Sequence, residues 1–80
     1  MEQLKTSAHT AGMRTTLRAI ENKTAQRVFI ADDADVFVKR RVQEACEAAS
    51  VPYERVEGMK ALGEACGMSV KTACAALVKA

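Results

Sequence analysis

The sequence RVFIADDAD occupies residues 27–35 and joins a continuous apolar run to a cluster of aspartates. A short apolar run of this kind is typical of a strand that is covered by helices on both faces of its sheet. Aspartate ends such a strand, and its carboxylate can accept hydrogen bonds from the first turn of a following helix. The stretch therefore predicts a buried strand that leads into a capped helix, the basic unit of an α/β fold.

The segments on either side continue this alternation. Downstream, residues 36–50 have the apolar spacing of an amphipathic helix, and Pro52 blocks its continuation. Upstream, Met13, Leu17 and Ile20 form an apolar stripe on a helix over 12–22. The remaining predicted elements are a leading helix over 2–6, a short strand within 7–11, strands over 53–56 and 73–78, and a helix over 59–66 that Gly67 closes. We expect one domain, residues 1–80, folded as a three-layer α/β/α sandwich around a small mixed, mostly parallel four-stranded sheet.

The composition excludes several classes of function. A chain of 80 residues with one Tyr, two Phe and no Trp has a thin core and little room for an enclosed small-molecule pocket. Three isolated cysteines and a single histidine do not form a zinc motif, and they predict free thiols in a reducing cytoplasm. No apolar run approaches the roughly 20 residues that span a bilayer. We therefore expect a cytoplasmic protein that has no metal or cofactor and no membrane contact.

Basic residues are concentrated in the first 30 positions, which contain five basic and two acidic side chains. Arg14 and Arg18 lie one helical turn apart, where like charges destabilise an isolated helix by a few tenths of a kcal/mol. The helix also begins at Gly12, and a helix N-terminus offers backbone N–H groups to a nearby anion. Arginine can bridge two acceptors on a guanine, and the Thr15 hydroxyl can donate or accept. This helix end is a candidate anion site, although two exposed arginines are also ordinary on a solvated helix.

A second candidate is the segment VEGMKALGEACG at residues 56–67, in which a glycine-bearing loop with one lysine leads directly into a short helix. Gly58 allows the backbone to turn or to approach a partner closely. We interpret this segment as a recognition loop.

Four blocks of the chain together resemble, in order and spacing, the kink-turn-binding ribosomal protein family that includes archaeal L-seven-Ae and eukaryotic L-thirty-e. The resemblance covers about residues 12–78, and bacterial YbxF-type members are the most similar branch. The blocks are GMRTTLRAI at 12–20, VFIADDAD at 28–35, VPY at 51–53 and VEGMKALGEACG at 56–67.

This resemblance implies an α/β/α protein that binds RNA kink-turns, which bend sharply at a bulge beside tandem sheared G·A pairs. Members of the family insert the tip of the helix that matches residues 12–22 into the major groove at those pairs. They cover the bulge with the loop that matches residues 57–60. It further implies a monomer that associates with ribosomes or other ribonucleoproteins. By this likeness Arg14 and Thr15 face the guanines, Arg18 contacts phosphate and base edges, and Met59 stacks on an extruded base. The implied RNA-binding residues are Gly12, Met13, Arg14, Thr15, Arg18, Glu57, Gly58, Met59 and Lys60.

The chain departs from the family pattern at three places. Arg14 and Thr15 stand where archaeal and eukaryotic members usually have Asn-Glu, which places the chain with the bacterial branch. Gly58 stands where bacterial relatives often have serine, and Lys71 where a small residue is common. The departures at Arg14 and Gly58 leave open a protein-interaction module on a ribonucleoprotein with weak or lost RNA binding.

A remote alternative is a small phosphatase-like enzyme that uses Asp33 and Asp35 as nucleophile and acid/base, as in haloacid-dehalogenase-type phosphatases. The chain is too short to supply the separate lysine and distal acidic motif that such enzymes need. Helix capping already explains the aspartates, so we expect the protein not to be an enzyme.

Overall fold

The computed structural model describes residues 8–78. In chain order these residues form β1 (His9–Ala11), α1 (Met13–Glu21), β2 (Ala25–Ala31), α2 (Val36–Ala49), β3 (Tyr53–Val56), α3 (Met59–Ala65) and β4 (Cys74–Val78). Each element predicted within this range is present, with ends that differ by about two residues at most. The leading helix predicted over 2–6 lies outside the described residues.

The four strands form one mixed sheet in the order β1-β4-β2-β3. Strand β2 is parallel to β3, whereas β4 is antiparallel to both of its neighbours, β1 and β2. The prediction of a mixed four-stranded sheet is confirmed, but the prediction that it is mostly parallel is wrong.

The reason lies in the connection between β3 and β4. Helix α3 has only seven residues, about 10 Å of rise, and the segment that follows it turns back to its start. There the Thr72 N–H donates to the Met59 carbonyl oxygen at 3.1 Å. Strand β4 therefore enters the sheet from the edge at which β2 and β3 end, and it runs in the opposite direction to both.

Helices cover both faces of the sheet, which confirms the three-layer sandwich. Helices α1 and α2 pack on one face of the sheet, and α3 packs on the other. Successive residues of a strand face the two sides in turn. The residues of β2 between Val28 and Ala31 are completely buried, as expected for a strand between two helical layers. Burial of a side chain such as Phe29 or Ile30 stabilises the fold by about 1.5–3 kcal/mol. The strand residues of the first face are Val28, Ile30, Cys74 and Ala76, and those of the second are Phe29, Ala31, Ala75 and Leu77.

The three cysteines are free thiols, as predicted. Cys46 and Cys74 are buried in the core beneath α1 and α2, and Cys66 is half-buried. Burial raises the pKa of Cys46 to about 11 and also raises the pKa values of Cys66 and Cys74. Within residues 8–78, no group of His, Cys, Asp and Glu side chains is arranged to hold a metal ion. Over the same residues, no helix has both the length and the apolar character needed to cross a bilayer.

Candidate nucleic-acid interface

Both candidate segments lie at one edge of the sheet. Strands β1, β2 and β3 end at this edge and β4 begins there, as two backbone hydrogen bonds show: Gly12 N–H donates to Cys74 O at 2.8 Å, and Asp32 N–H to Val56 O at 2.9 Å. We call this the upper edge. Neighbouring strands are about 4.8 Å apart, so the start of α1 beside β1 and the loop after β3 are roughly 15 Å apart along it. Since α1 and α3 lie on opposite faces, a ligand that touches both must lie across the edge.

The first turn of α1 is open to a ligand because its N-cap residue has no side chain. Gly12 has φ 95° and ψ 158°, a conformation that favours glycine, and no side chain caps the helix. By contrast, the Asp35 carboxylate caps α2 by accepting from the Phe37 N–H at 2.8 Å. The N-terminal partial charge of α1 is therefore available to an anion brought to the upper edge.

The side chains on this turn differ in what they can offer. Arg14 and Arg18 are exposed, and among residues 8–78 neither forms an ion pair. The Thr15 hydroxyl donates to the Ala11 carbonyl oxygen at 2.7 Å, so it faces a ligand as an acceptor. Met13 is half-buried and packs against the core. The turn thus presents two guanidinium groups, one hydroxyl acceptor and backbone N–H groups.

The loop before α3 is held in place by Asp33, which lies 26 residues earlier in the chain. The Asp33 Oδ1 atom accepts from the Met59 N–H at 2.8 Å, and a Cβ atom at position 58 would lie 3.2 Å from Asp33 Oδ2. The sequence predicts that the aspartates cap the helix that follows β2. The structure confirms this for Asp35, whereas the Asp32 carboxylate forms an ion pair with Arg55. What the sequence did not show is that Asp33 serves α3, whereas Asp35 serves α2.

Replacing Asp33 with alanine is expected to lower the free energy of unfolding by about 1–2 kcal/mol, because α3 loses the hydrogen bond that caps its first N–H group. Asp32→Ala is the matched control. Its carboxylate forms one exposed ion pair with Arg55 at 3.6 Å, so we expect a change within about 0.5 kcal/mol. Urea denaturation of both variants measures the difference, and hydrogen exchange at the Met59 amide locates it. Equal destabilisation by the two substitutions would contradict this role of Asp33.

The four residues predicted in this loop are placed differently. Glu57 and Lys60 are exposed, and Gly58 is half-buried against Asp33. Met59 is half-buried and packs on the core beneath α3, so only part of its side chain faces outward.

A third segment, residues 68–71, was absent from the predicted site, although it lies beside the other two. It returns from the end of α3 to the upper edge, and its Val70 side chain is 60% exposed. Gly63 of α3 packs directly against the backbone at Val70 and Lys71. The one signal for this segment in the sequence is Lys71, which departs from the family pattern.

These features define a class: a small α/β/α protein with an uncapped, basic helix tip and two loops along one sheet edge. The chain belongs to the Ribosomal protein L7Ae/L30e/S12e/Gadd45 family, whose sequence model matches residues 1–80. The family resemblance read from the sequence is thereby confirmed.

Relatives and solved structures agree with this assignment. The chain is 37% identical over 68 residues to the RNA-binding protein YbxF of Geobacillus stearothermophilus, covering 85% of this chain and 83% of that one. It is 38% identical over 65 residues to an RNA-binding protein of Caldanaerobacter subterraneus, covering 81% and 79%. The structure of the Giardia lamblia 15.5kD RNA binding protein superposes with a TM-score of 0.92 at 32% identity, covering 99% of this chain and 70% of that chain. The family is a non-enzymatic one, which confirms the expectation that the protein is not an enzyme.

Proposed function

We propose that this protein binds RNA along its upper edge, and that its preferred ligand is a kink-turn. The observation that carries the proposal is the uncapped start of α1, on the same edge as the loop that Asp33 holds. Its two arginines, Arg14 and Arg18, form no ion pair within residues 8–78. The names of its relatives, which are RNA-binding proteins, support the RNA part of the proposal. The family resemblance supports the kink-turn.

The tip of α1 would contact the tandem G·A pairs. Gly12 has no side chain to block the approach of a base edge to the first helical N–H groups. Arg14 can donate two hydrogen bonds to guanine O6 and N7, and Thr15, whose proton is used within the protein, can accept from a base N–H group. Arg18 lies one turn further along the exposed face and suits a phosphate.

The loops on the other side of the edge would cover the bulged nucleotides. Lys60 and Lys71 supply positive charge there, while the exposed Val70 and the outer part of Met59 supply apolar surface for an unstacked base. As the family resemblance implies, the tip of α1 and the loops would bind the bent RNA better than the straight one, and binding would then shift the RNA population toward the kinked state. We place this activity in cytoplasmic ribonucleoproteins or ribosomes, with the protein acting as a monomer and without a cofactor.

The test is a gel-shift titration with a kink-turn RNA and a control RNA in which the tandem G·A pairs are replaced with Watson-Crick pairs. We expect clear preference for the kink-turn. If Arg18, Lys60 and Lys71 each neutralise one phosphate, the log-log slope of affinity against salt should be about −2 to −3. Equal binding to both RNAs would reduce the interaction to charge attraction, and binding to neither would favour a protein-interaction module.

A further inference from the structure

The first turn of α2 exposes two large apolar side chains. Phe37 is 73% exposed and Val36 55%, although most apolar residues of this small domain face its core. Isolated exposed apolar residues are common, but an aromatic ring this open on a rigid helix provides a flat contact surface. It is therefore a candidate for recognition.

Two basic residues line the same groove as Phe37. Phe37, Arg40 and Arg41 line one open groove of about 530 Å³ on the outer flank of α2, which continues along the helix past Glu44 to Ala48. Within residues 8–78 neither arginine forms an ion pair. The half of the groove at the start of α2 therefore combines an aromatic face with two free guanidinium groups, and Glu44 lies one turn further along.

This groove lies next to the candidate RNA surface. Helices α1 and α2 both begin at the upper edge and pack side by side on one face of the sheet. Met13, the first residue of α1, and Val38, in the first turn of α2, pack against the same core. Axes of packed helices are about 8–10 Å apart, so the two first turns are neighbours. An RNA strand that leaves the tip of α1 needs to cross only this distance to reach Phe37.

We propose that Phe37, Arg40 and Arg41 bind an unpaired nucleotide of the RNA strand that continues beyond the kink-turn. The base stacks on the Phe37 ring, and the adjoining phosphates contact Arg40 and Arg41. This inference rests on the proposed function and adds to it a second, sequence-tolerant contact. Stacking on an aromatic side chain with cationic groups along the backbone is the usual way in which proteins hold single strands. Two arginines that have no ion-pair partner among the described residues fit a nucleotide, beside this ring, better than an apolar protein segment, which would leave both charges uncompensated.

The chain contains no tryptophan, so Phe37→Trp creates a single fluorescent reporter at the groove. Three RNAs are compared: a kink-turn with blunt ends, and the same kink-turn with about four unpaired nucleotides at the 5′ or at the 3′ end. We expect one extended RNA to quench the tryptophan and the blunt RNA to leave it unchanged. Phe37→Ala should weaken binding of that extended RNA by at least about fivefold and leave binding of the blunt RNA unaltered.

Arg14→Ala separates this inference from the proposed function, because it should weaken binding of blunt and extended RNAs alike. If no kink-turn binds, the proposed function fails, and a single-stranded oligonucleotide of about ten nucleotides then tests the groove alone. Quenching by the oligonucleotide would support nucleotide binding in the groove, and an absence of quenching would overturn it.

The proposal is also overturned if extension of the kink-turn neither quenches the tryptophan nor raises affinity. Quenching by an acidic apolar peptide but by no RNA would overturn it too, since the partner would be a protein. Because Phe37 is exposed, circular dichroism melts of both variants should match that of the original protein.

Discussion

Replacing Gly63 with alanine is expected to lower the free energy of unfolding by about 1–3 kcal/mol, the usual cost of forcing an added methyl group into a packed site. The Cβ atom of an alanine would overlap the Val70 carbonyl oxygen and approach the Lys71 Cα to 3.1 Å. Both are backbone atoms, so a change of side-chain rotamer cannot relieve the overlap. Helix α3 and the segment at 68–71 would have to separate.

The structure restricts that separation from two sides. Met68 N–H donates to the carbonyl oxygen of Gly63 itself at 2.9 Å, and Thr72 N–H donates to that of Met59 at 3.1 Å, so the segment is bonded to both ends of the helix. In an open helix, the same Gly-to-Ala change would stabilise by about 1 kcal/mol. The sign of the effect therefore reports whether the contact exists.

Thermal unfolding followed by circular dichroism measures the effect, since 1 kcal/mol shifts the Tm of a domain of this size by about 4–8 °C. Glu64→Ala, at the exposed neighbouring position, is the control and should change stability by no more than about 0.5 kcal/mol. Because the segment at 68–71 borders the proposed RNA surface, Gly63→Ala should also weaken RNA binding. An unchanged or raised Tm would show that the helix and the segment are not packed as described.

Local features of the sequence were enough to predict most of the architecture. The apolar run of β2 predicted a strand with helices on both faces, and its four residues from Val28 to Ala31 are indeed completely buried. Gly67 was predicted to close α3, and it does so with φ 78°, donating its N–H to Glu64 O while Met68 N–H donates to Gly63 O. These features involve neighbours in the chain, which is why a pattern of residue types suffices.

The features that the sequence did not reveal depend on contacts between distant residues. Strand β4 runs antiparallel to β2 because the segment after the seven-residue helix α3 returns to the start of that helix. The apolar residues of a strand do not indicate in which direction it runs. The assignment of Asp33 to α3 joins residues 26 positions apart, while Asp35 two residues later caps α2. Likewise, nothing in the string of residue types distinguishes Gly63, which touches the Val70 backbone, from a glycine in open space.

The proposed RNA site leads to the other large prediction. Replacing Arg14 and Arg18 together with alanine is expected to weaken kink-turn binding by about 30-fold or more, since each such contact contributes on the order of 1–3 kcal/mol. The salt slope should become shallower by about one for each phosphate contact removed. The fold should be retained, because both side chains are exposed and their removal relieves a repulsion of a few tenths of a kcal/mol within α1.

Lys23→Asn is the matched control for the single variant Arg14→Ala, because each substitution removes one positive charge from an exposed position. Lys23 follows the far end of α1 with φ 60°, a left-handed conformation that asparagine tolerates, so the substitution removes one exposed positive charge without straining the backbone. If RNA responded only to the net charge of the domain, Lys23→Asn would weaken binding about as much as Arg14→Ala alone. We expect it to leave affinity within about twofold, because among the helices of residues 8–78 the tip of α1 alone combines arginines with uncapped N–H groups at the upper edge. Similar losses from the two single variants in a gel-shift titration would therefore refute a binding site at that tip.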